Sequence, residues 1–344
     1  MFHRLLLVAS ALVIALVAAE IVLPLVPPHL GTMQRIVHHV DKSGNYYLKP
    51  GAEVPFSGMF ESISPAVMWQ VNRQGFRAAA DAGPPSDRFR ISTYGDSETF
   101  GWSVALDDTF QRRMESLDPA VEVLNFGIPG YNAENVADRV EATLSTYSPD
   151  MLLYLVNKND VDLPNDISDA VLSSDLLLRL RFFYQVALSK PWRQTMRRSP
   201  ERLAFLAAQI DRIERYAQQR RVPVMFAFMK GYTWEGAAER AQPGGFVAKV
   251  RDARATAGGN DDAARIVIVD DDLRAFPRID DHLPREAHAV LARRLCTAIS
   301  GAAGEACVPA RWSAARRETV PRIASGSAGA LLAERASLSG REAK

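Results

Sequence analysis

The stretch Thr93-Tyr94-Gly95-Asp96-Ser97-Glu98-Thr99-Phe100-Gly101 joins the end of an apolar, β-branched run, residues 89–94, to a Gly-Asp-Ser turn. Apolar runs of this length are typical of strands that are buried on both faces of a parallel sheet. A serine directly after such a strand lies at the carboxyl edge of the sheet, where open α/β folds bind their ligands. The stretch therefore predicts an α/β fold with Ser97 as a candidate nucleophile.

The same alternation of apolar runs and amphipathic segments continues along the chain. We predict strands at 89–94, 121–125, 151–156, 223–228 and 266–270, and helices at 108–117, 133–147, 201–220 and 285–299. Strands that alternate with helices in this way favour a parallel sheet covered by helices on both faces.

Polar residues follow the predicted strands in positions that suit acyl transfer. Such a reaction needs a hydroxyl nucleophile, a base, an acid that orients the base, and donors for the oxyanion. His282 follows the fifth strand and is the candidate base for Ser97. In an extended loop residues i and i+2 project to the same side, so Asp280 is expected to accept the other imidazole N–H. Asp281 is expected to be a solvated neighbour, and His288 a structural histidine.

Three groups are candidates for the oxyanion hole. Gly130 follows the second strand, together with Gly127, and its backbone N–H can approach a substrate because no Cβ is in the way. Asn159 follows the third strand and offers a side-chain amide. The backbone N–H of Ser97 is the third donor. Asp160 is expected to fix its loop by accepting backbone hydrogen bonds.

These residues resemble the four blocks of the SGNH/GDSL hydrolase superfamily: Gly95-Asp96-Ser97, Gly130, Asn159, and Asp280 with His282. The resemblance implies a three-layer α/β/α, flavodoxin-like sandwich with a five-stranded parallel sheet in the order 2-1-3-4-5. It implies esterase, lipase, carbohydrate deacetylase or acetyltransferase activity, and no metal or organic cofactor.

The resemblance covers about residues 70 to 300, including a lead-in at 72–77 that is often seen in membrane-anchored bacterial members. The chain departs from the family pattern where Asn157 stands in place of the glycine of Gly-x-Asn-Asp. Its spacing is Asp-x-His, because the common Asp-x-x-His spacing would fall on Ile279. This variant resembles glycan-modifying branches of the superfamily.

The N-terminal segment is strongly apolar. His3 and Arg4 precede an apolar run at 5–19, which has the length of a signal peptide; counting on through Val26 reaches the length of a membrane span. The segment is either an uncleaved membrane anchor or a cleaved signal peptide, and both interpretations predict export. The catalytic domain is expected in the periplasm or another extracytoplasmic space, anchored in the inner membrane, or secreted if the signal is removed.

Composition divides the chain into four parts. We predict a signal anchor or signal peptide at 1–26, a stem or cap at 27–88, the hydrolase domain at 89–300, and a low-complexity tail at 301–344. An insertion at 161–200 contains an apolar part and basic residues. We expect it to be a lid, a binding patch for an anionic glycan or for lipid headgroups, or an ordinary helical excursion.

The sequence contains two cysteines, Cys296 and Cys307, which either form a disulfide or remain free thiols.

The charge balance argues against nucleic-acid binding, because 41 basic and 40 acidic residues leave a net charge of +1. The sequence therefore predicts an exported serine esterase that hydrolyses acyl esters, with O-acetylated glycans as the favoured substrate and the membrane as a partner of the N-terminal helix. A glycan O-acetyltransferase, a non-catalytic glycan-binding or assembly component, and a lipase are the alternatives.

Overall fold

In a computed structural model, the centre of the protein is a parallel sheet that lies between two layers of helices. The structure describes residues 2–25, 31–40, 45–59, 63, 66–157, 159–162, 171, 174–184, 199–229, 245–256, 265–269, 273, 276–301, 306–309 and 312. In chain order the elements are α1 (Phe2–Val22), α2 (Gly31–Ile36), β1 (Val37–Val40), β2 (Tyr46–Leu48), β3 (Glu53–Phe56), β4 (Val67–Gln70), β5 (Phe89–Tyr94), α3 (Ser97–Phe100), α4 (Phe110–Leu117), β6 (Val121–Asn125), α5 (Ala133–Tyr147), β7 (Met151–Val156), α6 (Asp175–Phe183), α7 (Pro200–Gln219), β8 (Val224–Met229), α8 (Gly245–Thr256), β9 (Arg265–Val269) and α9 (Arg285–Ser300).

The sheet has the strand order β6-β5-β7-β8-β9. Numbered along the chain within this sheet, that is the predicted order 2-1-3-4-5. Every pairing is parallel, and Ser92 of β5 lies opposite Leu124 of β6 on one side and Leu152 of β7 on the other. The carboxyl ends of β5 and β7 are therefore neighbours, which brings the turns after them together.

The two faces of the sheet bury different helices. Side chains alternate along β7: Leu152 and Tyr154 lie in the core with α5 and α7, whereas Leu153 and Leu155 lie in the core with α4 and α9. All six residues of β7 are buried, as a strand covered on both faces requires. The predicted three-layer α/β/α sandwich is confirmed.

The predicted strands and helices are confirmed, with small shifts at their ends. The helix predicted from 108 begins at 110, because Thr109 caps it by accepting a hydrogen bond from the N–H of Arg112. The strand predicted from 223 begins at 224, since Pro223 has no N–H to donate to a ladder. The fifth strand is described over Arg265–Val269, and residue 270 lies outside the described residues.

The N-terminal helix α1 is apolar on every side. Among the described residues it is the one helix long and apolar enough to cross a membrane, over His3–Val22, with a mean hydropathy of 2.8 and no part of it buried. A short 3₁₀ turn, Leu23–Leu25, follows it. Composition of this kind fits both a membrane anchor and a signal sequence.

The segment predicted as a stem or cap contributes to the core. The antiparallel pairs β1–β2 and β3–β4 lie within it. Their side chains, including Tyr46, Phe56 and Trp69, belong to the same buried cluster as the α5 face of the sheet. Phe56 and Trp69 stack with their ring centroids 4.1 Å apart.

A disulfide joins Cys296 near the end of α9 to Cys307. The N–H of Cys307 also donates to Asp118 Oδ2 at 2.8 Å, and Trp312 packs against Phe89. The chain after residue 301 therefore returns to the sandwich. Almost all of the predicted tail, and most of the predicted insertion at 161–200 with its basic positions Lys190, Arg193, Arg197 and Arg198, lie outside the described residues.

Arg77 holds the turn that follows α3. Its guanidinium donates to the carbonyls of Phe100, Gly101 and Val104 and lies 4.4 Å from the centre of the Phe100 ring. The side chain is buried, and burial lowers the pKa of Arg77 to about 9, so it stays charged at neutral pH. A buried cation at these carbonyls fixes the carboxyl end of α3.

We expect Arg77→Met to lower the free energy of unfolding by about 3 kcal/mol, because it leaves buried carbonyls without donors. Denaturant unfolding of the full chain in detergent measures this. Arg73→Met is the matched control: its side chain is 87% exposed, and we expect a change within about 0.5 kcal/mol. Equal effects of the two substitutions would contradict the role given to Arg77.

Candidate active site

Ser97 is the first residue of α3, directly beyond the end of β5. Gly95 makes the turn with φ of 150°, and a Cβ there would lie 2.2 Å from Thr99 Oγ1, so the position needs glycine. Asp96 caps α3, because its Oδ1 accepts from the N–H of Glu98 at 2.9 Å. The Ser97 hydroxyl thus lies at the carboxyl edge of the sheet.

His282 faces this hydroxyl. Its Nε2 lies 2.8 Å from Ser97 Oγ, and its Nδ1 lies 2.6 Å from the backbone carbonyl oxygen of Asp280. A proton on Nδ1, donated to that carbonyl, leaves the lone pair of Nε2 free to accept from Ser97. The sequence expectation that Ser97 and His282 meet agrees with this geometry.

The atom of Asp280 that contacts His282 differs from the expectation: it is the backbone carbonyl oxygen, where a carboxylate oxygen was expected. The expectation of a carboxylate contact assumed an extended loop, but Ile279 and His282 form an antiparallel bridge around a tight turn. Asp280 and Asp281 are its central residues, with φ of 54° and 64°. In such a turn the i, i+2 alternation of an extended chain does not apply, and the Asp280 carbonyl points at the imidazole. Asp281 is exposed and pairs with Arg278 at 2.9 Å, as expected of a solvated neighbour.

The carboxylate of Asp280 binds two other donors. Its Oδ2 accepts from Trp102 Nε1 at 2.8 Å and from the N–H of Met59 at 2.7 Å, and the residue is buried. The Trp102 ring stacks on the imidazole of His282, with centroids 5.1 Å apart and planes inclined by 23°. Asp280 and Trp102 therefore fix the position of His282 from two sides.

Glu98 is a site residue that sequence reasoning did not place. It is buried, its Oε2 accepts from the N–H of Leu283 at 3.1 Å, and Arg278 lies 3.9 Å from its Oε1. It thereby ties the turn that carries Ser97 to the loop that carries His282. Its position directly after Ser97 was the available signal, because a charged residue in a buried turn needs partners.

The glycine loop after β6 packs against the turn that carries Ser97. The N–H of Ile128 donates to the carbonyl of Gly95 at 3.1 Å, and a Cβ at Gly127 would lie 2.4 Å from the backbone N of Phe100. Gly130 has φ of 82°, a conformation that favours glycine. The loop carrying Gly130 thus lies beside Ser97.

Asn159 lies beside the same loop. Its Nδ2 donates to the carbonyl of Tyr131 at 2.9 Å, which leaves a second N–H on that nitrogen. The structure therefore brings together the turns that carry Ser97, Gly130 and Asn159, while their action as oxyanion donors remains a proposal.

Asn157, which stands in place of the glycine of Gly-x-Asn-Asp, binds Asp96, the N-cap of α3. Its Nδ2 donates to Asp96 Oδ2 at 2.8 Å, and its N–H donates to Asp160 Oδ2 at 2.5 Å. Asp160 therefore accepts a backbone hydrogen bond, in agreement with the expectation for it. Burial first, and then the negative charge of Asp96, raise the pKa of Asp160 well above its ordinary value.

His288 is fully buried in α9, where its Nδ1 accepts from the N–H of Phe110 at 3.2 Å. Burial lowers its pKa to about 3, so the ring is neutral at physiological pH. This supports the structural role expected for it. In the part of the chain that the structure describes, no group of three or more histidine, cysteine, aspartate or glutamate residues could hold a metal ion.

Comparisons with known proteins give structural similarity at low sequence identity. No family model and no curated protein matches the sequence. A psychrotrophic esterase from Pseudoalteromonas is 12% identical, with a TM-score of 0.41, over 62% of this chain and 97% of that chain. A GDSL-like lipase from Bacteroides thetaiotaomicron is 13% identical, with a TM-score of 0.39, over 64% and 92%. An acetylxylan esterase from Geobacillus stearothermophilus is 15% identical, with a TM-score of 0.38, over 63% and 95%.

Asp160 gives a pH-dependent prediction. Because its pKa is raised in the folded state, the folded protein holds a proton that the unfolded chain releases from about pH 4. The free energy of unfolding should therefore fall as the pH rises from about 4 towards the folded pKa. Asp160→Asn keeps an acceptor oxygen and removes this titration.

We expect the stability of Asp160→Asn relative to the unmodified protein to increase from acid to neutral pH in denaturant unfolding. Asp107→Asn is the matched control, since it makes the same change at a side chain that is 91% exposed. A stability difference that is constant with pH would show that Asp160 does not titrate as stated.

Proposed function

We propose that this protein is an exported SGNH-type serine esterase that hydrolyses acyl esters, with Ser97 as nucleophile and His282 as general base. The observation that carries the proposal is the hydrogen bond of 2.8 Å between His282 Nε2 and Ser97 Oγ at the carboxyl edge of the sheet. Nucleophile and base within hydrogen-bond reach, with the base fixed by a third group, is the arrangement that activates a serine.

In the first half of the reaction His282 Nε2 takes the proton of Ser97 as Oγ attacks the ester carbonyl carbon. The tetrahedral intermediate collapses when His282 returns that proton to the leaving alcohol oxygen, and the acyl group stays on Ser97. Water then attacks the acyl-enzyme with His282 again as base. The carboxylic acid leaves, and Ser97 regains its proton.

The oxyanion of the tetrahedral intermediate would be bound by the N–H groups of Ser97 and Gly130 and by Asn159 Nδ2. Two observations support this set: the three turns are in contact, and Asn159 Nδ2 uses one N–H on Tyr131 and has another to donate. Removing one such donor costs about 2.7–4 kcal/mol of transition-state stabilisation in enzymes of this kind.

Asp280 orients His282 in this proposal through its backbone carbonyl, 2.6 Å from Nδ1. Its carboxylate binds Trp102 Nε1, and the Trp102 ring lies on the imidazole. The Asp280 side chain thus acts as a positioning group, and its negative charge favours the imidazolium that forms during the reaction.

The substrate class we propose is O-acetyl esters on glycans, because the Asp-x-His spacing of Asp280 and His282 resembles that of glycan-modifying branches of the superfamily. A sugar hydroxyl that reaches the acyl-enzyme before water would make the same residues a transferase. The apolar α1 supports an extracytoplasmic location, with the catalytic domain anchored at the inner membrane.

Labelling with a fluorophosphonate probe tests the nucleophile. We expect the full chain in detergent to label at Ser97, because the probe reacts with a serine that a neighbouring base activates. Ser97→Ala should not label, whereas Ser116→Ala, which changes an exposed serine on α4, should label fully. A folded protein that does not label would favour the non-catalytic binding component.

Ester substrates of different chain length, assayed on the same samples, separate the remaining alternatives. Preference for acetyl esters supports deacetylation, and preference for long chains supports a lipase. Transfer to an added sugar faster than hydrolysis would support the acetyltransferase.

Asp280→Asn should lower kcat/KM much more than Asp281→Asn. Asp280 is buried and holds Trp102 and Met59, whereas the Asp281 side chain is 65% exposed. We expect a loss of about 10²-fold for Asp280→Asn, as for the removal of one well-placed catalytic interaction. Steady-state kinetics on an acetyl ester measures both, and the reverse ranking would assign the positioning role to Asp281.

A further inference from the structure

Helix α6 exposes large apolar side chains on one side. Leu177, Leu180, Phe183 and Tyr184 are 40%, 56%, 59% and 61% exposed, and their spacing places them on one helical face. Leu178, by contrast, is 8% exposed and belongs to the core cluster of the sandwich. One face of α6 therefore packs on the protein, and the other presents a contiguous apolar surface of the kind that marks an interaction site.

Two contacts tie α6 to the end of α1. Ser174, the N-cap of α6, donates from Oγ to Glu20 Oε1 at 2.5 Å, and the guanidinium of Arg179 donates to the carbonyl of Leu23. Glu20 lies in the last turn of α1, and Leu23 begins the turn that follows it. The beginning and the middle of α6 are thus held at the carboxyl-terminal end of the apolar helix.

The length of α1 determines how deep in a bilayer the contact between α1 and α6 would lie. Its 21 residues span about 30 Å, which is the thickness of the hydrocarbon core of a bilayer. When α1 crosses a membrane, Glu20 and Leu23 lie at the outer boundary between acyl chains and headgroups. Because α6 is attached at these residues, it lies at the same depth.

We infer that α6 is an interfacial helix whose apolar face inserts into the bilayer that α1 spans. The apolar face of α6 continues the exposed apolar surface of α1. The inference rests on the proposal that α1 is retained as an anchor, and it requires no catalytic activity.

The position of α6 in the chain gives this contact a consequence for the site. The insertion that contains α6 leaves the sheet directly after the turn at 157–160, which binds Asp96 at the start of the nucleophile helix. Where α6 rests on the bilayer, the chain that leaves this turn therefore reaches the membrane surface by Ser174, the N-cap of α6.

An environment-sensitive fluorophore tests the inference in the full chain, reconstituted in vesicles of phosphatidylcholine and phosphatidylglycerol. The fluorophore is attached to a cysteine introduced by Leu180→Cys, with the native disulfide kept oxidised. We expect a blue-shifted emission that loses most of its intensity when the vesicle lipids carry bromine near the top of their acyl chains.

Two matched variants make the result decisive. Ile14→Cys, in the middle of the exposed surface of α1, should report the bilayer interior. Ser116→Cys, on α4 just before the amino end of β6, should report water. An emission from position 180 that matches that of position 116 would overturn the inference, whether or not position 14 is in the bilayer.

Repeating the measurement in the Ser97→Ala background separates this inference from the proposed function. Quenching at position 180 should be the same with and without the nucleophile, since no substrate is involved. Loss of esterase activity with unchanged quenching therefore bears on the chemistry alone, and loss of quenching in an active enzyme overturns the interfacial helix alone.

Discussion

The carboxylate of Asp96 joins the two strand ends on which the candidate site depends. One of its oxygens caps α3 through the N–H of Glu98, and the other accepts from Asn157 in the turn after β7. This contact is possible because β5 and β7 are adjacent in the sheet, so their carboxyl ends meet. The direction of Ser97 is therefore fixed by a buried hydrogen bond between two turns that lie far apart in sequence.

Sequence patterns predicted the sandwich well because its signals are local. Buried strands such as Met151–Val156 are continuous apolar runs, and helix starts are marked by capping residues such as Thr109. The meeting of Ser97 with His282 was also predictable, since each follows a strand of one parallel sheet. The atom by which Asp280 reaches the imidazole was not, because the spacing Asp-x-His does not reveal that Asp280 adopts a positive φ.

Contacts between distant segments account for most of what the sequence did not show. Trp102 and Met59 bind the Asp280 carboxylate from 178 and 221 residues away, and neither pairing leaves a periodic or spacing signal. Hydrogen-bond donors near Asp280 are nevertheless required, because a buried carboxylate without such partners is strongly destabilising. Glu98 obeys the same rule: its charge next to Ser97 required partners, and only the fold identifies them as Leu283 and Arg278.

The segment between α1 and the sandwich, which contains β1 to β4, also contacts residues of the candidate site. Tyr46 donates from its hydroxyl to the carbonyl of Pro129, and Tyr131 donates to the carbonyl of Tyr46, both at 2.5 Å, so the β1–β2 pair holds the loop that carries Gly130. Met59 supplies one donor to Asp280 from the same segment. A domain boundary drawn at residue 88 would separate these groups from the residues they hold. The residues that pack around the Ser97 site therefore include the β1–β2 pair, well before the boundary predicted at residue 88.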